Sequence, residues 1–239
     1  MLYCFRHRCC AIKKVKGYLS IKRLLNMEES SGLSFINLKD STSPFELVAE
    51  WFQEAGKCGV NMHFFNLATS TKSGEVSNRS LLLHDYVNNS FRFITNEKSL
   101  KGRDMDENPN VAACFLLQYL KDDKSHVVRQ IRCQGSVIKL PYKETAKYYE
   151  KDPLFCQIRS QIVPKQGEKV DWNELKIKHD ELLKNVKSGL KLRMPEYQVG
   201  YEIHPRCFDF YHSLGGEIAD RIIFEKSSDG SWSSHHVAC

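Results

Sequence analysis

Apolar and polar residues alternate through most of the middle of this chain, and only a few windows repeat at helical spacing. Phe64, Leu67 and Thr69 begin a strand-like run that meets Lys72-Ser73-Gly74, a hairpin-type turn, and residues 76–83 return as a second strand. Asn88-Asn89 marks another turn, and Phe91-Arg92-Phe93-Ile94-Thr95 reads as the third strand of a meander. Residues 111–117 are continuously apolar, the pattern of a strand buried on both faces. Asp122-Asp123-Lys124 turns the chain into residues 127–135, where Arg129, Ile131 and Cys133 alternate with Gln130, Arg132 and Gln134. Residues 198–210 and 221–224, joined through Gly215-Gly216, add further strands.

Helical signals flank these strands. Ser43-Pro44 opens a helix with proline at its first position, and Phe45, Val48, Ala49, Phe52 and Ala55 recur as a core-facing stripe. Ser99 is placed as an N-cap, so Lys101 falls in a first turn whose free N–H groups favour an anion, and Pro109 stops that helix. Residues 142–150 and 172–188 read as two more helices, the second with Trp172, Leu175, His179, Leu182 and Leu183 on or near one face. The fold class is therefore mainly β with flanking helices.

Composition narrows the function classes. At 239 residues and 41% hydrophobic content the chain suits one sizeable domain, and no apolar run approaches bilayer length. Of the formal charge of +6, Arg6, Arg8, Lys13, Lys14, Lys16, Lys22 and Arg23 contribute seven positive charges before any acidic residue, leaving the remainder near −1. The basicity belongs to an N-terminal tail, which argues against a nucleic-acid interface. Residues 1–26 have the composition of an organellar presequence or of an unstructured extension, so residues 1–42 divide from a domain at 43–239. Nine scattered cysteines without metal-ligand spacing suit reduced thiols in the cytoplasm, with the mitochondrion as the alternative.

Arg79-Ser80-Leu81-Leu82-Leu83, Phe93-Ile94-Thr95-Asn96, Ser99-Leu100-Lys101-Gly102 and Asn108-Pro109 resemble, in order and spacing, the FMN-binding region of the pyridoxine (pyridoxamine) 5'-phosphate oxidase family. Pro44-Phe45 with Trp51-Phe52, Arg129-Gln130-Ile131-Arg132 with Gly135, and Asp220-Arg221-Ile222 with Trp232 extend the resemblance over residues 42–239. It implies a homodimeric FMN-binding split barrel. It implies a phosphate cradle from Arg79 and Lys101, a lining from Ser80, Leu81, Leu82 and Ile94, and a hydroxyl from Thr95. Gln130 and Arg221 approach the flavin ring in this scheme, although a polar group on a solvated strand face is an equal reading of Gln130. Gln166-Gly167 falls where the family supplies a contact across its dimer interface.

The chain departs from the family at both sites. Leu100 stands where the family usually has arginine, and Gln198 where it usually has tryptophan. On the substrate side the family's lysine, tyrosine, arginine and serine, which hold the vitamin's phosphate, read His84, Tyr148, Asp152 and Cys156, and its ring-covering arginine and histidine read Glu217 and Ala219. Only the tyrosine survives, so no catalytic residue is assigned. The resemblance implies an FMN-dependent oxidase forming pyridoxal 5'-phosphate with O₂, its activity weakened or redirected. The alternative is a non-catalytic FMN- or ligand-binding regulatory paralogue; a heme-binding relative is a weaker one, since no defined histidine pair is present.

Overall fold

The structure, a computed structural model, describes residues 32–38, 43–60 and 64–239. The presequence expectation for residues 1–26 lies outside the described residues. Nine strands form one antiparallel sheet: β1 (Phe64–Ser70), β2 (Val76–Leu82), β3 (Asp85–Val87), β4 (Ser90–Asn96), β5 (Asn110–Leu120), β6 (His126–Lys139), β7 (Gln198–Leu214), β8 (Asp220–Lys226) and β9 (Trp232–His236). Around it lie α1 (Pro44–Lys57), α2 (Leu100–Glu107), α3 (Tyr142–Tyr149), α4 (Leu154–Ile162) and α5 (Trp172–Lys187). None of these helices is long and apolar enough to cross a membrane.

The strand order is β2-β1-β5-β6-β7-β4-β3, with β8 on β7 and β9 on β8. β6 runs beside almost all of β7, whose other edge pairs first with β4 (Gln198 to Ile203) and then with β8 (Cys207 to His212), so the sheet forks along β7. The fork sits at a register irregularity at Gln134/Gly135, opposite Pro205. A Cβ at Gly135 would stand 2.2 Å from the His204 carbonyl oxygen, so only glycine permits this approach.

The structure corrects four sequence readings. The expected meander does not form: β1 pairs with β2, but β4 pairs with β3 and β7. The Asn88-Asn89 turn, with both φ angles positive (51° and 60°), serves the short β3–β4 hairpin, so β2 never acquires β4 as a ladder partner. β5 is buried on one face only, for Ala112 and Cys114 are half-buried and Leu116 is exposed on the other. In α1, closed by a capping box between Ser43 and Glu46, the buried stripe is Leu47, Val48, Trp51 and Ala55; Phe45 and Phe52 flank it and Ala49 is exposed. Finally, part of the stretch set apart from the domain as residues 1–42 is packed on it: Leu33 bridges Ile218, and the Ile36 N–H donates to Asp220 at 2.7 Å.

Aromatic rings fill the interior. Phe65, Phe91, Phe93 and Phe115 contact one another from β1, β4 and β5, while Trp51 of α1 meets Phe210 edge-on at 5.2 Å. Leu81 of β2 packs against this core, and α2, α3 and α4 each bring residues to the space beside β2 and β4.

Candidate functional site

α2 begins at a fixed point. Ser99 caps it by accepting from the Gly102 N–H at 3.3 Å, while its own hydroxyl donates to the Asn96 carbonyl at 2.6 Å. A Cβ at Gly102 would lie 2.1 Å from the Glu97 carbonyl oxygen, so glycine lets the first turn rest on the 96–99 segment. The first-turn Lys101 is thereby turned inward, where its ammonium donates to Ser99 Oγ at 3.1 Å and Gln166 Oε1 at 3.3 Å. Burial, reinforced by the nearby charges of Arg79 and Arg159, pushes its pKa down to about 8. Arg79 of β2 is braced from β1 by the Leu67 carbonyl at 3.0 Å and Thr69 Oγ1 at 2.8 Å, and Thr69 in turn donates to the buried Asp104 at 2.6 Å.

A cavity of about 500 Å³ opens beside Lys101. Nine of the twelve positions named for the flavin share its wall: Arg79, Ser80, Leu81 and Leu82 from β2, Ile94 and Thr95 from β4, Lys101, Gln166 and Gln198. Three positions named for substrate, His84, Asp152 and Cys156, line the same space. His84 Nε2 lies 2.9 Å from Asp152 Oδ1, and His84 Nδ1 is buried without a partner among the described residues. Burial pushes the Cys156 thiol up, against a smaller opposing effect of Arg159, which disfavours a thiolate there.

The other positions lie elsewhere in the chain. Tyr148 packs edge-on to His84, but its hydroxyl accepts from Arg92 at 3.2 Å and donates to Asp85 at 2.9 Å, off the cavity wall. Gly167 lines an adjoining cavity with Leu100 and Arg103. Gln130 and Arg221 share a row on the outer face of the sheet, in register Leu116, Gln130, Tyr211, Arg221 across β5 to β8. Arg221 donates to Asp209 through Nε at 2.9 Å and Nη2 at 2.6 Å, beside a second cavity of about 380 Å³. Glu217 accepts from the Ser34 hydroxyl at 2.8 Å, and the Ala219 carbonyl faces the Cys239 thiol, both at the β7–β8 turn. Gln166, the position expected to contribute across a dimer interface, accepts from Lys101 of its own chain, where the loop after α4 folds back over α2.

Sequence reasoning missed α4, and with it Phe155 and Arg159 on the cavity wall; Tyr149, at the end of α3, was also passed over as a wall residue. The signal was present. Asp152, Cys156 and Arg159 are spaced four and three apart, and Pro153 stands just before the helix as its N-cap. Tyr211, in register with both Gln130 and Arg221, was also passed over.

The donor set suits an anionic cofactor: Lys101 at a helix start, buried enough to lose basicity, and the braced Arg79 of β2, with apolar residues of β2 and β4 beside them. No family model matches the chain. Two curated relatives, both named pyridoxine/pyridoxamine 5'-phosphate oxidase, are each 32% identical: one from Psychrobacter cryohalolentis over 197 residues (82% of this chain, 88% of the relative), one from Leptospira biflexa over 187 residues (78% and 84%). PhzG from Burkholderia lata, solved in complex with tetrahydrophenazine-1-carboxylic acid, superposes with a TM-score of 0.73 at 22% identity, covering 87% of this chain and 100% of that one. A pyridoxamine 5'-phosphate oxidase-related, FMN-binding protein from Nostoc punctiforme gives 0.64 at 16% identity, covering 83% and 99%. The fold is the split barrel of these FMN-binding proteins, and by its curated relatives the chain belongs to the pyridoxine/pyridoxamine 5'-phosphate oxidase family.

Proposed function

We propose that this protein is an FMN-dependent oxidoreductase whose action on pyridoxine and pyridoxamine 5'-phosphate is weakened or redirected. One observation carries the reading: a single cavity holds Lys101 at the start of α2, Arg79 of β2 and also a carboxylate, Asp152, held by His84. Bound FMN supplies a ring that accepts a hydride and returns the electrons to O₂. Lys101, Arg79 and the first-turn N–H groups of α2 hold its phosphate. Thr95 and the amides of Gln166 and Gln198 offer hydrogen bonds, and Leu81, Leu82 and Ile94 exclude water from one side. Asp152 repels a substrate phosphate, so the favoured substrate is a small ring compound that presents less negative charge on the Asp152 side. With its substrate held loosely, the reaction loses the rate that orientation supplies.

In this reading a homodimer completes the site. Gln130, Tyr211 and Arg221 form an outer row away from the Lys101 cavity, and Leu116 beside them is 60% exposed, an apolar contact surface for a second copy. The free cysteines at 58, 114, 133, 156, 207 and 239 suit a reducing compartment, and we place the protein in the cytoplasm.

Purification of the full chain followed by anaerobic addition of pyridoxamine 5'-phosphate tests the reading. The expected result is a yellow protein that bleaches slowly or not at all. A colourless protein that takes up no FMN overturns the cofactor assignment, and rapid bleaching overturns the weakened substrate site.

A further inference from the structure

Arg159 stands out among the charged groups that the sequence reading left unused. It occupies the last turn of α4 between two anchored neighbours: Ile158 is buried, and Ser160 bonds Tyr149 at 2.9 Å while its carbonyl accepts from Tyr197 at 2.8 Å. Its side chain lines the Lys101 cavity, yet among the described residues its guanidinium has no ion-pair or hydrogen-bond partner. The cavity wall thus carries three cations, Arg79, Lys101 and Arg159, against one carboxylate, Asp152, which His84 already engages. Burial first, and then the charges of Arg79 and Arg159, depress the basicity of Lys101, against a smaller opposing effect of Asp104. A dianion placed among the three cations removes the repulsion and gives Arg159 the partner it lacks.

We propose that Arg159 is the third cation of a phosphate-monoester site that it shares with Arg79 and Lys101. The inference rests on the FMN reading above, in which the flavin supplies the phosphate. Arg159 is exposed, and arginine suits the role because its planar fork presents paired donors to phosphate oxygens and keeps its charge. α4 brings it to the cavity that α2 supplies with Lys101, near enough for its charge to act on that lysine.

The test titrates FMN and riboflavin, which lacks the phosphate, into flavin-free full-length protein, comparing the unmodified chain with Arg159→Gln, Arg159→Lys and Lys101→Ala by quenching of flavin fluorescence. Arg159→Gln is expected to weaken FMN about tenfold or more while leaving riboflavin within about twofold, and Arg159→Lys to recover part of the loss. Inorganic phosphate is expected to raise the melting temperature of the unmodified protein more than that of Arg159→Gln. Equal weakening of FMN and riboflavin overturns the proposal, since the residue then acts on the fold. Unchanged FMN affinity in Arg159→Gln alongside a loss in Lys101→Ala overturns it and leaves the FMN reading intact. If neither variant loses FMN affinity, both fall. Unchanged FMN affinity with weakened pyridoxamine 5'-phosphate binding to flavin-loaded Arg159→Gln assigns the phosphate to the substrate and overturns the shared site.

Discussion

His84 Nε2 lies 2.9 Å from Asp152 Oδ1, so two positions that the family resemblance makes cationic have become partners of each other. Both side chains are largely withdrawn from solvent, 8% and 13% exposed. The two substitutions therefore act as one change. Asp152 alone would leave a poorly solvated carboxylate without a partner, and His84 beside it supplies the hydrogen bond that makes the carboxylate tolerable.

The double variant His84→Lys with Asp152→Arg is expected to bind pyridoxamine 5'-phosphate about tenfold tighter or better, because each restored charge-assisted hydrogen bond is worth roughly 1.5–3 kcal/mol. Asp152→Arg alone should gain less, since it sets an arginine against His84. Calorimetric titration of the flavin-loaded proteins measures this, and an equal affinity in all three would remove Asp152 from the substrate pocket. Glu217→Arg should not help within one chain, because Glu217 holds Ser34 and not the cavity.

FMN affinity should depend on pH through Lys101. Its pKa lies near 8 in the flavin-free protein, below the ordinary lysine value of 10.5, so the ammonium that binds phosphate is lost as pH rises through about 8. A bound dianion raises the pKa again, and binding near pH 8–9 should take up a proton. FMN titrations at pH 7 and pH 9.5 should show weaker binding at the higher pH, and riboflavin little change. Parallel losses for both ligands would locate the effect outside the phosphate site.

His212 should impose an acid limit on stability. It is 8% exposed, receives a hydrogen bond from Arg129 Nε at 3.4 Å, and its pKa is lowered to about 4 by burial and by the charges of Arg129 and Lys121. A histidine with its folded pKa below its unfolded one stabilises fully above pH 6.5 and loses that contribution as pH falls towards 4, on the order of 3 kcal/mol in all. Urea unfolding at pH 7 and pH 4.5 should therefore show a larger drop for the unmodified protein than for His212→Gln. Identical drops would assign the acid sensitivity to other groups.

Gly102→Ala should cost about 1–3 kcal/mol of stability and most of the FMN affinity, since the added Cβ meets the Glu97 backbone at 2.1 Å and must shift the start of α2. A crystal structure or flavin titration of the variant checks both effects. Full FMN binding by a stable Gly102→Ala protein would mean that α2 can move without loss of the site.

Leu116→Glu should convert a dimer to a monomer and weaken FMN binding, because it sets a charge on the exposed apolar position beside Gln130. Light scattering of the flavin-loaded variant reads the mass. An unmodified protein that is a monomer and still binds FMN tightly would remove the partner from the site.

Much of the fold was legible because it depends on local pattern. The turns at Asn88-Asn89 and Asp122-Asp123-Lys124, the cap at Ser99 and the proline at the start of α1 act through their immediate neighbours, and each stands where the pattern puts it. The Lys101 position followed from the same kind of signal, since a cap fixes which residue enters the first turn. Strand partnership did not follow. β4 joins β7 across more than 100 residues, and nothing near residue 94 encodes that choice, which is made by burial of rings from β1, β4 and β5 in one core. The one-sided burial of β5 was likewise a tertiary outcome, because an apolar run cannot say whether its second face meets the core or the surface. The site divides in the same way. Residue types at Arg79, Lys101 and Asp152 could be read along the chain, but the His84–Asp152 pair, the turn of Glu217 towards Ser34 and the placing of Arg159 on the same cavity as Lys101 arise only where α4 and the 32–38 segment pack, through contacts between residues far apart in sequence.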